Sequence, residues 1–310
     1  MESSNQWAFI INPVAGNGHS LEVEKELVAQ LKKRNIEAKL VRTERKNHAK
    51  KLVKELAEQG FNTIVAVGGD GTFNEVGSSV TKIPDLTVGL IPAGTGNDFA
   101  QIIGQNENFS ENDWDIFFEA NTKKMDVGRC NGNMFFNGMG LGFDAQVASE
   151  NYITPDKVKE RSKNLYVWHI LKNLLFYKER IFKTSTNGEM HETLGFMNTI
   201  AIGRRFAGGY LITPKALAND GLLDVCMVGK VSLPERLNIL LKVPKGRHLD
   251  HKKVTFYTTD KMVIEVNKKS AYHLDGELFF DTRFEIDILP GKVNIIYNPH
   301  GNHFFTDSNK

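Results

Sequence analysis

The residues with the most evident chemical potential are Gly68-Gly69-Asp70-Gly71-Thr72, followed by Phe73-Asn74-Glu75. They come directly after a β-branched, apolar run and before an apparent helix. The unpaired amides and the dipole of a helix N-terminus favour anions, and glycines let a phosphate approach the main chain. The negative charge of Asp70 would repel an anion unless a metal or a positioning role compensates it. The motif is therefore typical of a binding site for a nucleotide that is carried with Mg²⁺.

Two further glycine-rich turns follow apparent strands. They are Asn12-Pro13-Val14-Ala15-Gly16-Asn17-Gly18 and Pro92-Ala93-Gly94-Thr95-Gly96-Asn97-Asp98. The first lacks the Gly-Lys-Ser/Thr of a P-loop, so phosphate binding there would use backbone amides. Alone, the first turn is equally compatible with an ordinary strand–helix connection, and the second is better explained as a helix cap without function. Three such turns in one domain favour a nucleotide site.

Two acidic turns lie later in the chain. Asp220-Gly221-Leu222-Leu223-Asp224 places a carboxylate beside turn carbonyls, and these are ligands that hard cations prefer. Asp275-Gly276-Glu277 offers a carboxylate that would accept a hydroxyl proton in phosphoryl transfer. The alternative for either motif is a tight turn with solvated acids. From these residues alone, the turn is the favoured interpretation of both.

The elements that must position these residues alternate in the first part of the chain. Strands are predicted at residues 7–12, 38–43, 62–67 and 86–91, and helices at 21–34, 49–59, 74–80 and 98–103. Strands separated by helices of this length indicate a parallel sheet that is covered on both faces. Ligands of such sheets bind at the carboxyl ends of the strands, where all three glycine-rich turns fall.

Beyond residues 123–129 the segments become short and strand-like. Turn signals at Asn131-Gly132, Asn187-Gly188 and Asp275-Gly276 separate them, and helices are predicted only near 145–151 and 162–180. This pattern predicts an antiparallel β-sandwich. A last strand at 292–297 is expected to return to the first domain. We therefore expect a three-layer α/β domain with a parallel sheet over 1–128, joined by residues 295–310, and a β-rich domain over 129–294.

Composition narrows the possible functions. The chain has 310 residues, 41% hydrophobic and 25% charged, which is typical of a globular protein. A net charge of +2 gives no argument for nucleic acid. The two cysteines lie far apart, which makes a zinc site improbable and indicates reduced thiols in a cytosolic setting. The first six residues lack the order of a signal peptide, so a cytoplasmic protein is expected.

No apolar run is long enough to span a bilayer, so contact with lipid is expected to be peripheral. The basic and aromatic stretch 157–177 is compatible with a helix that rests on an anionic membrane. A helix that packs on the second domain with a solvated charged face is the favoured alternative.

Taken together and in this order, the five motifs resemble those of the diacylglycerol kinase catalytic-domain family in its soluble bacterial form. Sphingosine and ceramide kinases are relatives, and NAD kinases and phosphofructokinases are more remote ones. The resemblance runs from Trp7 to about Tyr297. It implies an α/β domain like that of NAD kinase and diacylglycerol kinase, followed by a β-rich domain.

The resemblance also implies ligands for individual residues. It assigns ATP binding to Asn12, Pro13, Val14, Ala15, Gly16, Thr43, Gly69, Asp70, Gly71, Thr72, Phe73, Asn74, Glu75 and Thr95. A structural Mg²⁺ is implied at the Leu217 carbonyl, Asp220 and the Leu222 carbonyl, with Asp98 close by. Glu277 takes the place of the general base with Asp275 beside it, and Asp70 helps to place nucleotide and metal.

The expected activity is ATP-dependent phosphorylation of the hydroxyl of diacylglycerol or a related lipid at the membrane surface. The alternatives are a small-molecule kinase similar to NAD kinase and a non-catalytic lipid-binding protein on the same fold. The expected partners are the lipid and ATP but no nucleic acid, and a homodimer is left open. Glu277→Gln and Asp70→Ala are each expected to abolish activity without unfolding the protein.

Overall fold

A computed structural model describes residues 5–306, apart from 151, 155–156, 159–162, 187 and 208. The chain divides into two units. Unit 1 comprises Met1–Val127, Ala218–Asp220 and Pro290–Lys310, and unit 2 comprises Gly128–Leu217 and Gly221–Leu289. The short segment at 218–220 is held in unit 1 by its main chain. The Ala218 amide donates to the Phe304 carbonyl, and the Asp126 amide donates to the Ala218 carbonyl, both at 2.8 Å.

Unit 1 alternates strands and helices along the chain. They are β1 (Trp7–Ile11), α1 (His19–Lys33), β2 (Ala38–Arg42), α2 (His48–Glu58), β3 (Thr63–Gly68), α3 (Asp70–Val80), β4 (Thr87–Pro92) and α4 (Asp113–Phe118). The strands pair in parallel in the order β2-β1-β3-β4. Ile11 is in register with Val67, and Gly68 with Pro92, so the carboxyl ends of the central strands are level.

The core of unit 1 lies against the buried central strands. Every residue of β1 and β3 is buried, as expected of a parallel sheet that is covered on both faces. Val23, Leu27 and Leu31 recur every four residues along α1 and pack in the same core cluster as Trp114 of α4. Helix α4 was not predicted. The predicted helix at 98–103 is a single 3₁₀ turn, Asp98–Gln101, and α3 begins at Asp70 rather than at Asn74.

Unit 2 contains most of the remaining strands. The remaining strands are β5 (Thr122–Cys130), β6 (Asn133–Phe135), β7 (Gly138–Gly142), β8 (Tyr152–Thr154), β9 (Lys157–Val158), β10 (Arg180–Thr186), β11 (Glu189–Ala201), β12 (Arg205–Phe206), β13 (Tyr210–Leu211), β14 (Leu223–Gly229), β15 (Val254–Thr259), β16 (Lys261–Leu274) and β17 (Glu277–Ile296). Residues 122–127 of β5 and 290–296 of β17 belong to unit 1. The helices are α5 (Phe143–Ser149), α6 (Lys163–Phe176) and α7 (Leu233–Lys242).

The pairings in unit 2 are antiparallel. Strands β15, β14, β11, β10, β16 and β17 pair in that order, and β7 pairs with both β11 and β16. Asn131-Gly132 and Asp275-Gly276 are two-residue hairpin loops, as predicted, and both residues of each loop have positive φ. The predicted turn at Asn187 falls outside the described residues.

Strand β17 corrects one prediction. It is continuous from Glu277 to Ile296, so the predicted separate strand at 292–297 is its last part. Its first part pairs with β16 in unit 2, and Asn294 and Ile295 pair in parallel with β4 in unit 1. The sequence did not predict one strand of 20 residues, because Pro290 and Gly291 interrupt the alternation of apolar and polar residues that indicates a strand.

The helices of unit 2 differ from the prediction in two places. Helix α7 was missed, although Ser232 and Glu235 form a capping box around a proline at the helix start. Helix α6 ends at Phe176, and Arg180 begins β10, whereas one helix was predicted to continue to residue 180. Ile170 and Leu174 of α6 join the core of unit 2, as the packing alternative expects. Lys159, Glu160 and Arg161 of the basic stretch fall outside the described residues.

Within the described residues, no helix is long and apolar enough to cross a bilayer.

Candidate active site

The carboxyl ends of β1, β3 and β4 bring the three glycine-rich turns of unit 1 together. The ladder continues one residue beyond the strands. The Asn12 amide donates to the Val67 carbonyl (3.1 Å), and the Ala93 amide donates to the Gly68 carbonyl (2.9 Å). The turns after neighbouring strands therefore begin side by side, at the sheet edge where the sequence predicts a ligand.

Glycines in these turns allow the main chains to touch. A Cβ on Gly94 would lie 2.4 Å from the Gly69 Cα, and one on Gly16, whose φ is +58°, would lie 2.5 Å from the Ala93 carbonyl oxygen. These contacts exclude any side chain there. Gly71 differs, because a Cβ on it would meet nothing within 4 Å. The first turn of α3 thus borders open space, whereas Gly16 and Gly94 serve packing between turns.

The Asp70 carboxylate joins the second turn to the third. Its Oδ1 accepts a hydrogen bond from the Phe99 amide (3.0 Å), and its Oδ2 accepts one from the Asp98 amide (3.2 Å). These amides open the 3₁₀ turn Asp98–Gln101, whose N–H groups have no partner within the turn. Asp70 also lies in the first turn of α3, where the helix dipole favours a negative charge. The two amides and the helix dipole thus compensate the charge of Asp70, and the carboxylate holds the two turns in position.

Side-chain hydrogen bonds link the turns after β1, β2 and β3. The Asn12 Nδ2 donates to the Thr72 Oγ1 at 3.0 Å. The Glu75 carboxylate accepts a 2.8 Å bond from the Asn47 amide, which belongs to the loop between β2 and α2. Thr43, at the start of that loop, donates its amide to the Ile11 carbonyl (2.8 Å). The loops after three adjacent strands are thereby fixed to one another.

Every residue predicted to bind the nucleotide belongs to unit 1 and lies in one of these strand-end turns or in the first turns of α3. The structure also separates them by exposure. Thr72 and Phe73 are buried, whereas Val14, Gly71 and Thr95 are exposed. The exposed members of the set mark the face of the turns that a ligand can reach.

Asp275 in unit 2 is engaged by main-chain amides. Its Oδ1 accepts from Asn137 (2.9 Å) and Gly138 (3.0 Å), and its Oδ2 accepts from Phe136 (2.7 Å). Its own amide donates to the Gly138 carbonyl at 3.0 Å. The carboxylate therefore fastens the β16–β17 hairpin to the chain that leads into β7. Glu277 is half-buried and begins β17 opposite Leu274, two residues beyond this anchor.

The structure shows a buried polar cluster next to this hairpin that the sequence analysis missed. The His273 Nε2 lies 3.7 Å from the Asp144 Oδ2, and the Thr199 Oγ1 donates to the same oxygen at 3.2 Å. A Cβ on Gly140 would lie 2.1 Å from that oxygen. These residues are distant in sequence, and only the position of His273 just before Asp275 hinted at its placement.

The predicted metal ligands are divided between the units. Asp220 belongs to unit 1, whereas Leu217 and Leu222 belong to unit 2. Asp220 is exposed, and Gly221 after it has a φ of +76° and completes a turn. No group of three or more His, Cys, Asp and Glu side chains arranged to hold a metal is found in the part of the chain that the structure describes.

Comparisons with known proteins give a consistent result over nearly the whole chain. Residues 6–130 match the family model "Diacylglycerol kinase catalytic domain", and residues 137–297 match "YegS C-terminal NAD kinase beta sandwich-like domain". The chain is 30% identical to the "Probable lipid kinase YegS" of Salmonella arizonae, over 89% of this chain and 92% of that protein. It is 26% identical to the "Diacylglycerol kinase" of Bacillus subtilis, over 94% of each chain.

A solved structure shares the fold. The crystal structure of a diacylglycerol kinase from Bacillus anthracis superposes with a TM-score of 0.72 at 20% identity, covering 96% of this chain and 99% of that one. An α/β first part and a β-rich second part are thus common to both proteins.

Proposed function

Because the chain belongs to the lipid kinase family of YegS and diacylglycerol kinase, we propose that it phosphorylates the hydroxyl of diacylglycerol or a related lipid at a membrane surface, with ATP as the donor. The observation that carries the proposal is the convergence of three glycine-rich turns at one sheet edge, with Asp70 bonded to the amides of Asp98 and Phe99. Because these amides hydrogen-bond the Asp70 carboxylate, this edge of the sheet can bind an anion although an acidic side chain lies there.

The residues at this edge fit a polyphosphate. Gly71, in the first turn of α3, borders open space, and so does Gly18, which caps the N-terminus of α1. Two helix N-termini, each with a glycine that leaves the approach to the main chain open, are suited to phosphate oxygens. We assign ATP to Asn12, Pro13, Val14, Ala15, Gly16, Thr43, Thr95 and residues 69–75. ATP supplies the γ-phosphoryl group, and the protein contributes position and electrostatic stabilisation.

We assign different roles to the two acids of the late motif. Glu277 is the general base that accepts the proton of the lipid hydroxyl. Asp275, whose carboxylate is bonded to three amides, holds the hairpin that carries Glu277. A base must keep a fixed position relative to the hydroxyl, so an anchored two-residue loop directly before it serves that need.

We assign Mg²⁺ to Asp220 and to the carbonyls of Leu217 and Leu222. All three donors are oxygens, and Mg²⁺ commonly takes only one or two carboxylates while it keeps several waters. This donor set fits the ion by its chemistry. When bound, the ion would neutralise charge beside the nucleotide turn, and Asp98 would connect the two. The hydrogen bonds of the Ala218 main chain hold the segment that carries Asp220 in unit 1 without the ion.

The test is incubation of the purified protein with labelled ATP, Mg²⁺ and a panel of lipid hydroxyl acceptors that includes diacylglycerol, with NAD in a parallel reaction. Labelled phospholipid supports the proposal, and a Glu277→Gln protein should give none. Labelled NADP would instead indicate an activity similar to that of NAD kinase. Binding of lipid without any labelled product would indicate a non-catalytic lipid-binding protein, and either result overturns the proposal.

A further inference from the structure

Over residues 168–176, the outward face of α6 is largely apolar. Its exposed apolar side chains recur at helical spacing, at Trp168, Leu171, Leu175 and Phe176, and Lys172 is the exposed charged residue among them. Trp168 is 61% exposed and Phe176 is 75% exposed. The opposite face of the same helix packs Ile170 and Leu174 into the core of unit 2, so packing already uses the other apolar stripe. A helix that is apolar on both faces is unusual at a surface exposed only to water.

A basic cleft adjoins the end of this face. It has a volume of about 490 Å³, and Phe176 lies in its lining. The charged residues of the lining are Lys172, Lys178, Arg180, Lys268, Lys269 and one acid, Glu179, which is ion-paired with Arg236. Lys172 is ion-paired with Glu150 at 3.0 Å. Lys178, Lys268 and Lys269 are exposed and form no ion pair with any residue that the structure describes. The cleft therefore places uncompensated positive charge beside an exposed aromatic ring.

An irregularity in β16 places two of these lysines. The register between β16 and β17 shifts between Glu265 and Ser270, so that four residues of β16, 266–269, stand opposite only Thr282 of β17. Asn267, Lys268 and Lys269 are all exposed there, in contrast to the alternation of exposed and buried residues in the regular part of the strand. The protrusion fixes the lysines at the rim of the cleft.

We propose that the outer face of α6, together with Lys178, Lys268 and Lys269, is the surface by which the protein docks on an anionic lipid bilayer. We call these residues the docking surface. Apolar side chains enter the boundary between headgroups and acyl chains, tryptophan favours that boundary, and lysines contact the anionic headgroups. The choice of a bilayer as the occupant rests on the proposed function, because a lipid kinase must reach an acceptor that resides in one.

Trp168 provides an intrinsic probe of docking. The chain has three tryptophans, and the other two, Trp7 and Trp114, are 4% and 0% exposed in the core of unit 1. Vesicles of phosphatidylglycerol and phosphatidylcholine should shift the fluorescence of the full-length protein to the blue, whereas phosphatidylcholine alone should not. Trp168→Phe should remove the shift. A shift that persists in this variant, or its absence in the wild type, overturns the proposal.

Sedimentation with the same vesicles measures the two components of the surface separately. Phe176→Ser with Leu175→Ser should weaken binding at least tenfold, because both side chains lose apolar burial. Lys268→Gln with Lys269→Gln should weaken it about thirtyfold and reduce its salt dependence. Val28→Ser, at an exposed position on α1 of unit 1, is the matched control and should bind normally. Unchanged binding by both double variants contradicts the proposal.

Two further measurements separate this inference from its premise. Vesicle binding needs no ATP, so a protein that docks but phosphorylates no lipid overturns the proposed function alone. Activity on a dispersed short-chain diacylglycerol should be unchanged in the docking variants and reduced on vesicles. If activity on vesicles is also unchanged, the docking surface is wrong and the kinase stands. A wild-type dimer that Phe176→Ser converts to a monomer would identify a subunit interface and overturn the docking surface.

Discussion

Asp70 and Asp275 are both acids whose carboxylates accept main-chain amides in the structure, two for Asp70 and three for Asp275. A carboxylate can accept several bonds at once, and bonds to a charged acceptor are stronger than neutral ones. Each acid therefore holds a loop in position. Glu277 lies beside such an anchor and is assigned the chemical role.

Asp70→Asn should lower both stability and activity. The amide keeps one acceptor oxygen but turns an NH₂ group toward an amide that also donates, so one of the two bonds to Asp98 and Phe99 is lost. We expect a loss of about 1–3 kcal/mol in the free energy of unfolding and of about a hundredfold or more in turnover, because the third turn moves. Urea unfolding and the labelled-ATP assay measure the two effects. Asp85→Asn, at an exposed loop position, is the control.

Asp275 and Glu277 should separate stability from catalysis. Asp275→Ala leaves three amides without their acceptor and puts alanine at a φ of +47°, so unfolding should become easier by at least about 2 kcal/mol. Glu277→Gln should keep the wild-type melting temperature and lose activity. A Glu277→Gln protein with full turnover, or an Asp275→Ala protein as stable as wild type, would contradict these roles.

At the scale of elements, the strands of unit 1 and the turns after them were predictable, because apolar runs ending in glycine are local signals. Strand β3 was expected at 62–67 and spans Thr63–Gly68, and the Asp275-Gly276 hairpin lies where it was expected. Helix α3 starts earlier than predicted, because Gly69 before it and Gly71 in its first turn are poor helix formers. Only the tertiary contacts of Asp70 show why the helix can begin there.

The parts that sequence could not reveal depend on distant partners. The protrusion in β16 interrupts the pairing with β17, and the strand nevertheless runs from Lys261 to Leu274. The contact of Asp144 with His273 joins residues that lie far apart in the sequence of unit 2, and no local pattern predicts it. Helix α7 was a different case, because its capping box was readable in the sequence.

Gly71→Ala tests the first turn of α3 as a phosphate-binding element. The new Cβ meets no protein atom, and alanine favours a helix, so stability should be equal or higher by up to about 1 kcal/mol. The KM for ATP should nevertheless rise at least about tenfold, because the methyl group fills the open space assigned to phosphate. Steady-state kinetics and thermal unfolding give the two quantities.

Two other glycine substitutions serve as controls for that experiment. The Cβ of Gly229→Ala makes only an ordinary contact, 3.6 Å from the Lys253 carbonyl oxygen, so this variant should change neither stability nor the KM for ATP. Gly94→Ala would press on the main chain of Gly69 and should lower stability. An unchanged KM for ATP in Gly71→Ala would exclude this turn as the phosphate contact.

At the scale of the whole molecule, burial shifts the pKa values of titratable groups toward their neutral forms. Both cysteines are free and fully buried, and burial raises the pKa of Cys226 to about 12. His248 contacts Cys226 Sγ at 3.7 Å and the Ile212 carbonyl at 3.0 Å. Burial lowers the pKa of His248, although the Ile212 carbonyl and Asp250 oppose this shift.

The His248 shift predicts that the fold becomes less stable in mild acid. Its pKa in the folded protein lies below the unfolded value of about 6.5, so between these two values the unfolded chain binds more protons. The free energy of unfolding should therefore fall as the pH drops below about 6.5, by up to about 1.4 kcal/mol per pH unit from this group. Urea unfolding between pH 7.5 and 5.5 measures the slope.

A His248→Gln protein should lose this part of the slope, and His300→Gln, at an exposed histidine, should retain it. If the buried substitution prevents folding, an NMR titration of the wild-type imidazole gives the pKa directly. A His248 that titrates at or above 6.5 in the folded protein would contradict the prediction.

The pairing of Asn294 and Ile295 with β4 has a consequence for how the protein is made. During translation, β1 to β4 leave the ribosome early, but the segment that covers the free edge of β4 emerges only after all of unit 2. Until then β4 offers unpaired amides and carbonyls to any neighbouring chain, a recognised route to aggregation. A nascent chain halted before Lys292 carries that open edge, which makes it a natural client for a ribosome-associated chaperone.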